Sequence, residues 1–260
     1  MLTKHKIKQS FAMAATVYDS VALLQRNVGD GLLQRVGIDS KVDTVVDLGC
    51  GTGFLVHQYL EQASYKPRQV IVLDIALTML KTARSKLQNK PSVSYLCADA
   101  EYLPIQPQSV DLVISNLSFQ WCNLEKAFCD TLRILKPGGH FYFTTFGVST
   151  LRELKSAWKE VDDYQHVNTF VSAAQLTDLL QTAGFQHIEM ETKLYTSIYE
   201  SVWDLMSELK QLGAHTVIEG CNKHLTTKSQ MQRMICAYQQ QDHNGLVPAT
   251  FEVITASAKA

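Results

Sequence analysis

The chain has 260 residues, of which 46% are hydrophobic and 19% charged, and its formal net charge is −1. This composition is typical of a globular protein with a large core, and the near-neutral charge argues against nucleic-acid binding through bulk electrostatics. No apolar run approaches the roughly 18 residues of a membrane span, and the basic N-terminus lacks the apolar stretch of a signal peptide, so we expect a cytoplasmic protein.

The first segment, 1–41, precedes any predicted strand and has no place in a sheet. Gln9 and Tyr18 lie in it. Two interpretations stay open. The segment folds over a ligand as a lid, or it forms a helix that packs on the domain through Phe11, Ala14, Ala15 and Tyr18.

Strands and helices then alternate up to residue 146. Short apolar runs rich in β-branched residues predict strands at 42–48, 70–73, 93–97, 110–115 and 140–146. Apolar residues at helical spacing predict helices at 54–63, 76–88 and 123–135, the last ended by Lys136-Pro137-Gly138-Gly139. This alternation predicts an α/β fold with a Rossmann-like, mostly parallel sheet and helices on both faces.

The second half is less regular. It predicts helices at 151–161, 173–183, 200–212 and 227–240 and strands at 186–195 and 250–257, which bring the sheet to seven strands. We expect one domain over 1–260, in which the lid segment precedes a core at 42–195. A helical cap inserted at 196–248 then leads to a final strand at 249–260.

A glycine-rich turn, Asp47-Leu48-Gly49-Cys50-Gly51-Thr52-Gly53, ends the first predicted strand and opens a helix. Its glycines allow a tight turn and a close ligand approach. Phe54 stands where a dinucleotide-binding G-x-G-x-x-G motif has its last glycine. A carboxylate at Asp47 suits a cationic group, such as the amino group of a methionine moiety, and would repel a diphosphate. The turn therefore favours a nucleoside with a cationic substituent over a dinucleotide.

Polar residues also end the next three strands. Asp74 lies 21 residues beyond Gly53, where a carboxylate can accept two hydrogen bonds from a ribose diol. Asp99-Ala100 follows the third strand, where an acid can accept from an adenine amino group, and Asn116 ends the fourth. Each alone is explained by a helix cap or a turn, but four polar groups at consecutive strand ends predict a nucleotide site.

The motifs VVDLGCGTG, VLDIA, CADAEYLP and LRILKPGG, within 42–146, resemble class I S-adenosylmethionine-dependent methyltransferases. The resemblance implies that Asp47, Gly49 and Gly51 contact the methionine part of the cofactor, Asp74 the ribose, and Asp99 with Ala100 the adenine. The complete expected cofactor-binding set is Gln9, Tyr18, Asp47, Gly49, Cys50, Gly51, Asp74, Ile75, Asp99, Ala100 and Asn116.

The flanking segments narrow the resemblance. FAMAATVYDSVALLQRNVGDGLL, LSFQWCNLEKAF, LRELKSAWKEVDDYQHVNTF, DLMSELKQLGAHTV and PATFEVITASA are similar to malonyl-[acyl-carrier protein] O-methyltransferases of biotin synthesis. One departure is Gln211, where that family leads us to expect glycine. The resemblance implies methyl transfer to the free carboxylate of a malonyl thioester, giving the methyl ester that starts pimeloyl synthesis.

Such a reaction requires orientation rather than a catalytic base, because a carboxylate is already ionised at pH 7. Arg152 is the first candidate to bind the carboxylate, with a solvated surface arginine as the alternative. The expected substrate-binding set is Arg152, Tyr18, Gln120, Trp121, Trp158 and His166. For each aromatic residue core packing is at least as good an explanation, and His166 is equally explained as a histidine at a helix terminus with no chemical role.

The acyl carrier is acidic, so basic clusters are candidate docking sites: Lys4, Lys6 and Lys8, or Lys223, Lys228 and Arg233, with solvated surface charge as the alternative. A coenzyme A thioester stays open as the substrate.

The six cysteines include no C-x-x-C pair, so we expect reduced thiols and no metal site. Nothing in the sequence requires more than a monomer. Alternative functions are methylation of another small acceptor, such as a quinone precursor or a small carboxylic acid, and a non-catalytic protein that retains the fold.

Overall fold

The computed structural model describes residues 2–37, 41–88, 90, 92–214, 216–217, 226–240 and 245–260, without the side chains of residues 2 and 3. Its strands are Thr44–Leu48 (β1), Gln69–Asp74 (β2), Val93–Cys97 (β3), Val110–Ser115 (β4), Leu135–Phe146 (β5), Gln186–Tyr199 (β6) and Val247–Lys259 (β7). Across the described residues these seven form one sheet in the spatial order β3-β2-β1-β4-β5-β7-β6.

The sheet is mostly parallel, as the alternation of elements predicted. β1 pairs in parallel with β2 and β4, β2 with β3, and β4 with β5. β7 runs antiparallel to both β5 and β6. The carboxyl ends of β1 to β4 therefore meet at one edge, which is where open α/β sheets bind ligands.

Helices cover both faces of the sheet. Their bounds are Leu2–Ala14 (α1), Tyr18–Val21 (α2), Leu23–Leu33 (α3), Phe54–Gln62 (α4), Leu77–Lys86 (α5), Leu124–Ile134 (α6), Arg152–Lys159 (α7), Ala173–Ala183 (α8), Val202–Gln211 (α9) and Lys228–Gln239 (α10). A 3₁₀ turn covers Phe119–Trp121. No helix in the described ranges is long and apolar enough to cross a membrane.

Two of the boundaries that differ from the prediction have a clear structural cause. α6 ends at Ile134 because Leu135 is already extended, and the Lys136–Gly139 turn is an irregularity inside β5, where Gly138 has a φ of +75°. β6 continues to Tyr199, past the expected start of the cap at 196, because its pairing with β7 extends to Val247. α9 and α10 lie between these two strands, as predicted; part of the expected cap falls outside the described residues.

Three large hydrophobic clusters of described residues hold most of the domain together. On one face of the sheet, the rings of Phe119, Phe128, Phe141 and Phe143 pack within about 6 Å of one another. The other face packs on α3, α4 and α5. The third cluster joins α7, α9 and α10 to β7.

Candidate active site

The glycine turn after β1 adopts a backbone that favours glycine. Gly49, Gly51 and Gly53 have φ values of +69°, +53° and +84°. A Cβ at Gly49 would lie 2.4 Å from the Cβ of Ser118, whereas a Cβ at Gly51 would meet nothing within 4 Å. Gly49 is therefore needed for packing inside the protein, while Gly51 leaves open space beside the turn.

Asp47 is a buried carboxylate whose two oxygens have no hydrogen-bond partner among the described residues. The residue is 1% exposed. Burial raises the pKa of Asp47 to about 8, and the nearby charge of Asp74 raises it further. An unpartnered acid at this depth is costly unless a cation compensates it, so the position suits a cationic ligand group.

Asp74, at the end of β2, ties the glycine turn to the sheet. Its oxygens accept from the backbone N–H of Gly51 at 3.0 Å and of Ala76 at 2.8 Å. Burial raises the pKa of Asp74 to about 6, against these backbone N–H groups. An ionised carboxylate has about four acceptor positions, so capacity remains for the hydroxyls of a ribose.

Lys4 of helix α1 contacts the two acidic residues, Asp99 and Glu101, that follow β3. Its Nζ lies 3.0 Å from Asp99 Oδ1 and 2.6 Å from Glu101 Oε1. This contact corrects the interpretation of Lys4 as a docking lysine, because its charge is directed inward. Lys6 and Lys8, from the same predicted cluster, are exposed.

These elements enclose a cleft of about 680 Å³ at the carboxyl edge of the sheet. Eight of the predicted cofactor residues line it: Tyr18, Gly49, Gly51, Asp74, Ile75, Asp99, Ala100 and Asn116. Asp47 and Cys50 line an adjoining cavity of about 430 Å³, which Gly49 and Gly51 share. Gln9 is exposed on α1 and is not among the residues lining either space, so the structure does not bring it to the site.

Asn116 joins three parts of the chain. Its amide nitrogen donates to Gln25 O at 2.8 Å, and its amide oxygen accepts from Thr144 Oγ1 at 2.7 Å. The side chain thus fixes α3 against the ends of β4 and β5. It lines the cleft as part of this brace, with both ends already hydrogen-bonded.

A second cavity, of about 660 Å³, adjoins the cofactor cleft; we call it the acceptor cavity. Trp121 lines both spaces, and Phe11 of α1 meets the Trp121 ring edge-on at 5.4 Å. Apolar side chains from β5, α7, α9 and β7 form most of its wall, including Phe146, Leu154 and Phe251. The lid segment, the loop after β4 and the third hydrophobic cluster therefore converge at Trp121.

Comparison with known proteins places this geometry in a family. Residues 46–143 match the family model described as a methyltransferase domain. The Malonyl-[acyl-carrier protein] O-methyltransferase of Nitrosospira multiformis is 37% identical, over 99% of this chain and 89% of its own. That of Methylococcus capsulatus is 38% identical, over 97% of this chain and 92% of its own.

This chain belongs to the malonyl-[acyl-carrier protein] O-methyltransferase family.

A bifunctional biotin-biosynthesis protein of Cellvibrio japonicus is 40% identical over 96% of this chain, which spans 49% of that longer protein. Among solved structures, a putative methyltransferase from Bacillus halodurans superposes with a TM-score of 0.64 at 17% identity, over 89% of this chain and 97% of its own. A Haemonchus contortus phosphoethanolamine N-methyltransferase in complex with S-adenosylhomocysteine superposes with a TM-score of 0.57 at 20% identity, over 90% of this chain and 52% of its own. These structures share the fold of this family member.

The structure does not bring Arg152, the first candidate for the carboxylate, to either space. Its side chain is 60% exposed, and Nε lies 3.0 Å from Glu153 Oε1. Arg152 is the first residue of α7, and this helix turns Leu154 and Trp158 inward instead. Trp158 is 4% exposed in the third hydrophobic cluster and is not among the lining residues, so the structure shows it as core.

The other predicted substrate residues lie closer to the site. His166 and Trp121 line the acceptor cavity. Gln120 lines a neighbouring cavity of about 680 Å³, and its Nε2 donates to Leu117 O at 2.6 Å. In the second predicted docking cluster, Lys228 and Arg233 are exposed on α10, and Lys223 lies outside the described residues.

Sequence reasoning missed two side chains that line the cofactor cleft, Phe11 and Ser118. The sequence predicts Phe11 only as a packing residue, and it gives no reason to select Ser118, which faces Gly49. Sequence spacing does not reveal either residue, because each contacts a partner far along the chain: Phe11 contacts Trp121, and Ser118 contacts Gly49. The nearest usable signal was the LSFQWCNLEKAF segment, which contains Ser118 and Trp121.

Proposed function

We propose that this protein transfers the methyl group of S-adenosylmethionine to the free carboxylate of a malonyl group held as a thioester on acyl-carrier protein. The product is the malonyl methyl ester that starts pimeloyl synthesis for biotin. The observation that carries the proposal is the shared wall at Trp121, since an acceptor in the apolar cavity there faces a cofactor in the cleft.

The residues of the cleft fit S-adenosylmethionine. Asp47 offers an unpartnered buried carboxylate to the cationic methionine end, and Gly51 leaves the backbone open to close approach. Asp74 has acceptor capacity for the ribose hydroxyls. Asp99 accepts from Lys4 and Glu101 N through Oδ1, so Oδ2 suits the adenine amino group. When bound, the cofactor supplies the electrophilic methyl group.

The protein's own part in the reaction is orientation and exclusion of water. A malonyl carboxylate is ionised at neutral pH and attacks without a base. Holding two reactants in line supplies on the order of 7–11 kcal/mol of the barrier. Phe11 and Trp121 give the cofactor cleft an apolar wall next to the acceptor cavity, and opposite charges that cancel during transfer are favoured there relative to water.

We further propose acyl-carrier protein, not coenzyme A, as the carrier, and a monomeric enzyme of the cytoplasm that binds neither nucleic acid nor membrane. The names of the relatives support the carrier. An acidic carrier protein would dock on exposed basic side chains, and Lys228 and Arg233 on α10 remain candidates for that role.

The test is methyl transfer from labelled S-adenosylmethionine to malonyl-carrier protein, with malonyl-coenzyme A and acetyl-carrier protein as parallel acceptors. We expect label on the malonyl-carrier protein, released as methanol by mild base as a methyl ester requires, and none on the acetyl control. Preference for malonyl-coenzyme A would show that coenzyme A, and not acyl-carrier protein, carries the malonyl group. Cofactor binding without label on either malonyl thioester would overturn the proposed function.

A further inference from the structure

Among the described residues that line the acceptor cavity, His166 is the one ionisable side chain. The rest of the wall is apolar or carries neutral polar groups such as Thr150, Asn168 and Thr216. Both Thr150 and Asn168 are already hydrogen-bonded, to Glu252 O and Thr216 O. A charged group entering this cavity would therefore find its electrostatic partner at His166.

Two contacts hold the His166 ring. It stacks on Trp158 with 3.6 Å between centroids and 4° between planes, and its Nε2 lies 2.8 Å from Asp162 Oδ1. The side chain is 12% exposed. Asp162 is itself fixed, because it accepts from Tyr164 N at 3.0 Å and Gln230 Nε2 at 3.4 Å.

This arrangement determines which nitrogen of His166 is available. An ionised carboxylate only accepts hydrogen bonds, so Nε2 carries a hydrogen toward Asp162. Nδ1 has no hydrogen-bond partner within the described part of the chain. A carboxylate bound at Nδ1 requires a hydrogen there too, so the ring that binds it is doubly protonated and faces a carboxylate on each side.

We propose that His166 binds the carboxylate of the acceptor, with Asp162 as its positioning residue; this rests on the proposed function. Nδ1–H donates to one carboxylate oxygen, and the second oxygen attacks the methyl carbon of the sulfonium. The new O–CH₃ bond forms as the S–CH₃ bond breaks, and its electron pair stays on sulfur. No proton moves. The ester product has lost the charge that His166 binds, which favours its release.

The test compares binding of malonyl-carrier protein and acetyl-carrier protein to the protein loaded with S-adenosylhomocysteine, which cannot transfer a methyl group. The wild-type protein should prefer the malonyl form. His166→Gln should lose that preference by about tenfold, because a charge-assisted hydrogen bond is replaced by a neutral one. Affinity for S-adenosylhomocysteine should stay unchanged, since His166 does not line the cofactor cleft.

Asp162→Asn is the second variant, and it keeps the ring in place. It should reduce the malonyl preference by a smaller factor and raise KM for malonyl-carrier protein more than it lowers kcat. An unchanged preference in both variants, or equal weakening of both carrier forms, would overturn the assignment. If the wild-type protein methylates no malonyl thioester, the proposed function fails first, so the two failures are distinct.

Discussion

Two glycines in the same turn have different physical roles. Gly49 faces Ser118 inside the protein, and Gly51 faces open space beside the cofactor cleft, although both have positive φ. A side chain at Gly49 must displace Ser118, whose hydroxyl bonds Ser115 and Leu48 O. At Gly51 the added methyl group meets only the backbone strain of the left-handed region.

The paired variants Gly49→Ala and Gly51→Ala separate packing from ligand access. Gly49→Ala should lower the free energy of unfolding by about 2 kcal/mol or more, as overpacking in a core does. Gly51→Ala should lower it by only about 1 kcal/mol, yet weaken S-adenosylmethionine binding at least tenfold, because the methyl group occupies the ligand's space. Urea denaturation and calorimetric titration measure the two effects. Equal destabilisation by both variants would contradict this division.

The sequence predicts the position of a site residue well when the strand that carries it is enough to place it. Asp47 and Asp74 end adjacent parallel strands, so strand position alone brings them to one edge of the sheet. The same reasoning does not work for Arg152, because the direction of its side chain depends on how α7 is rotated about its axis. The packing of the third hydrophobic cluster sets that rotation. That cluster draws on α7, α9, α10 and β7, and no local pattern predicts how they pack.

Among the elements, α1 acts as a cover held at both ends. Lys4 pairs with Asp99 and Glu101 near its start, and Ala14 packs on α5 near its end. Between them, Ser10 Oγ lies 2.9 Å from Thr216 Oγ1. The helix thus contacts the cofactor cleft and the segment after α9 together.

Lys4→Gln should loosen this cover, with Lys6→Gln as the matched control on the same helix. Lys4 loses two carboxylate partners, whereas Lys6 is exposed. We expect S-adenosylhomocysteine to dissociate several-fold faster from Lys4→Gln, since partly buried ion pairs contribute more than surface pairs. Stopped-flow displacement measures the rate. A rate unchanged from that of Lys6→Gln would show that the ion pair does not hold the cover.

Strand and helix order was predictable because each element carries its own period of apolar residues. The bulge in β5 was not, since the same Lys136-Pro137-Gly138-Gly139 residues that end a helix also permit an irregular strand. The sequence does not decide whether α1 is a lid or a packing helix, for a related reason. Its decisive contacts, such as Lys4 with Asp99, join residues 95 positions apart.

At the scale of the whole molecule, the buried carboxyl groups of Asp47 and Asp74 lower the stability of the cofactor-free protein when they are ionised. Burial raises the pKa of Asp47 to about 8 and of Asp74 to about 6, above the value of about 3.9 in an unfolded chain. The folded state therefore holds protons that the unfolded state has lost between about pH 4 and pH 8. Without cofactor, the free energy of unfolding should fall as pH rises through this window.

Asp47→Asn tests that expectation, with the exposed Asp163→Asn as control. Between pH 6 and 8 the wild-type free energy of unfolding should fall relative to Asp47→Asn, by up to about 1.4 kcal/mol per pH unit. Below about pH 6 a slope due to Asp74 should remain in both. Adding S-adenosylmethionine should stabilise the wild-type protein more than the variant, because only the wild-type carboxylate compensates the cation. Urea denaturation at several pH values, with and without cofactor, measures all three effects. If the free energy of unfolding depended on pH in the same way for wild type and Asp47→Asn, ionisation of Asp47 would not destabilise the folded protein.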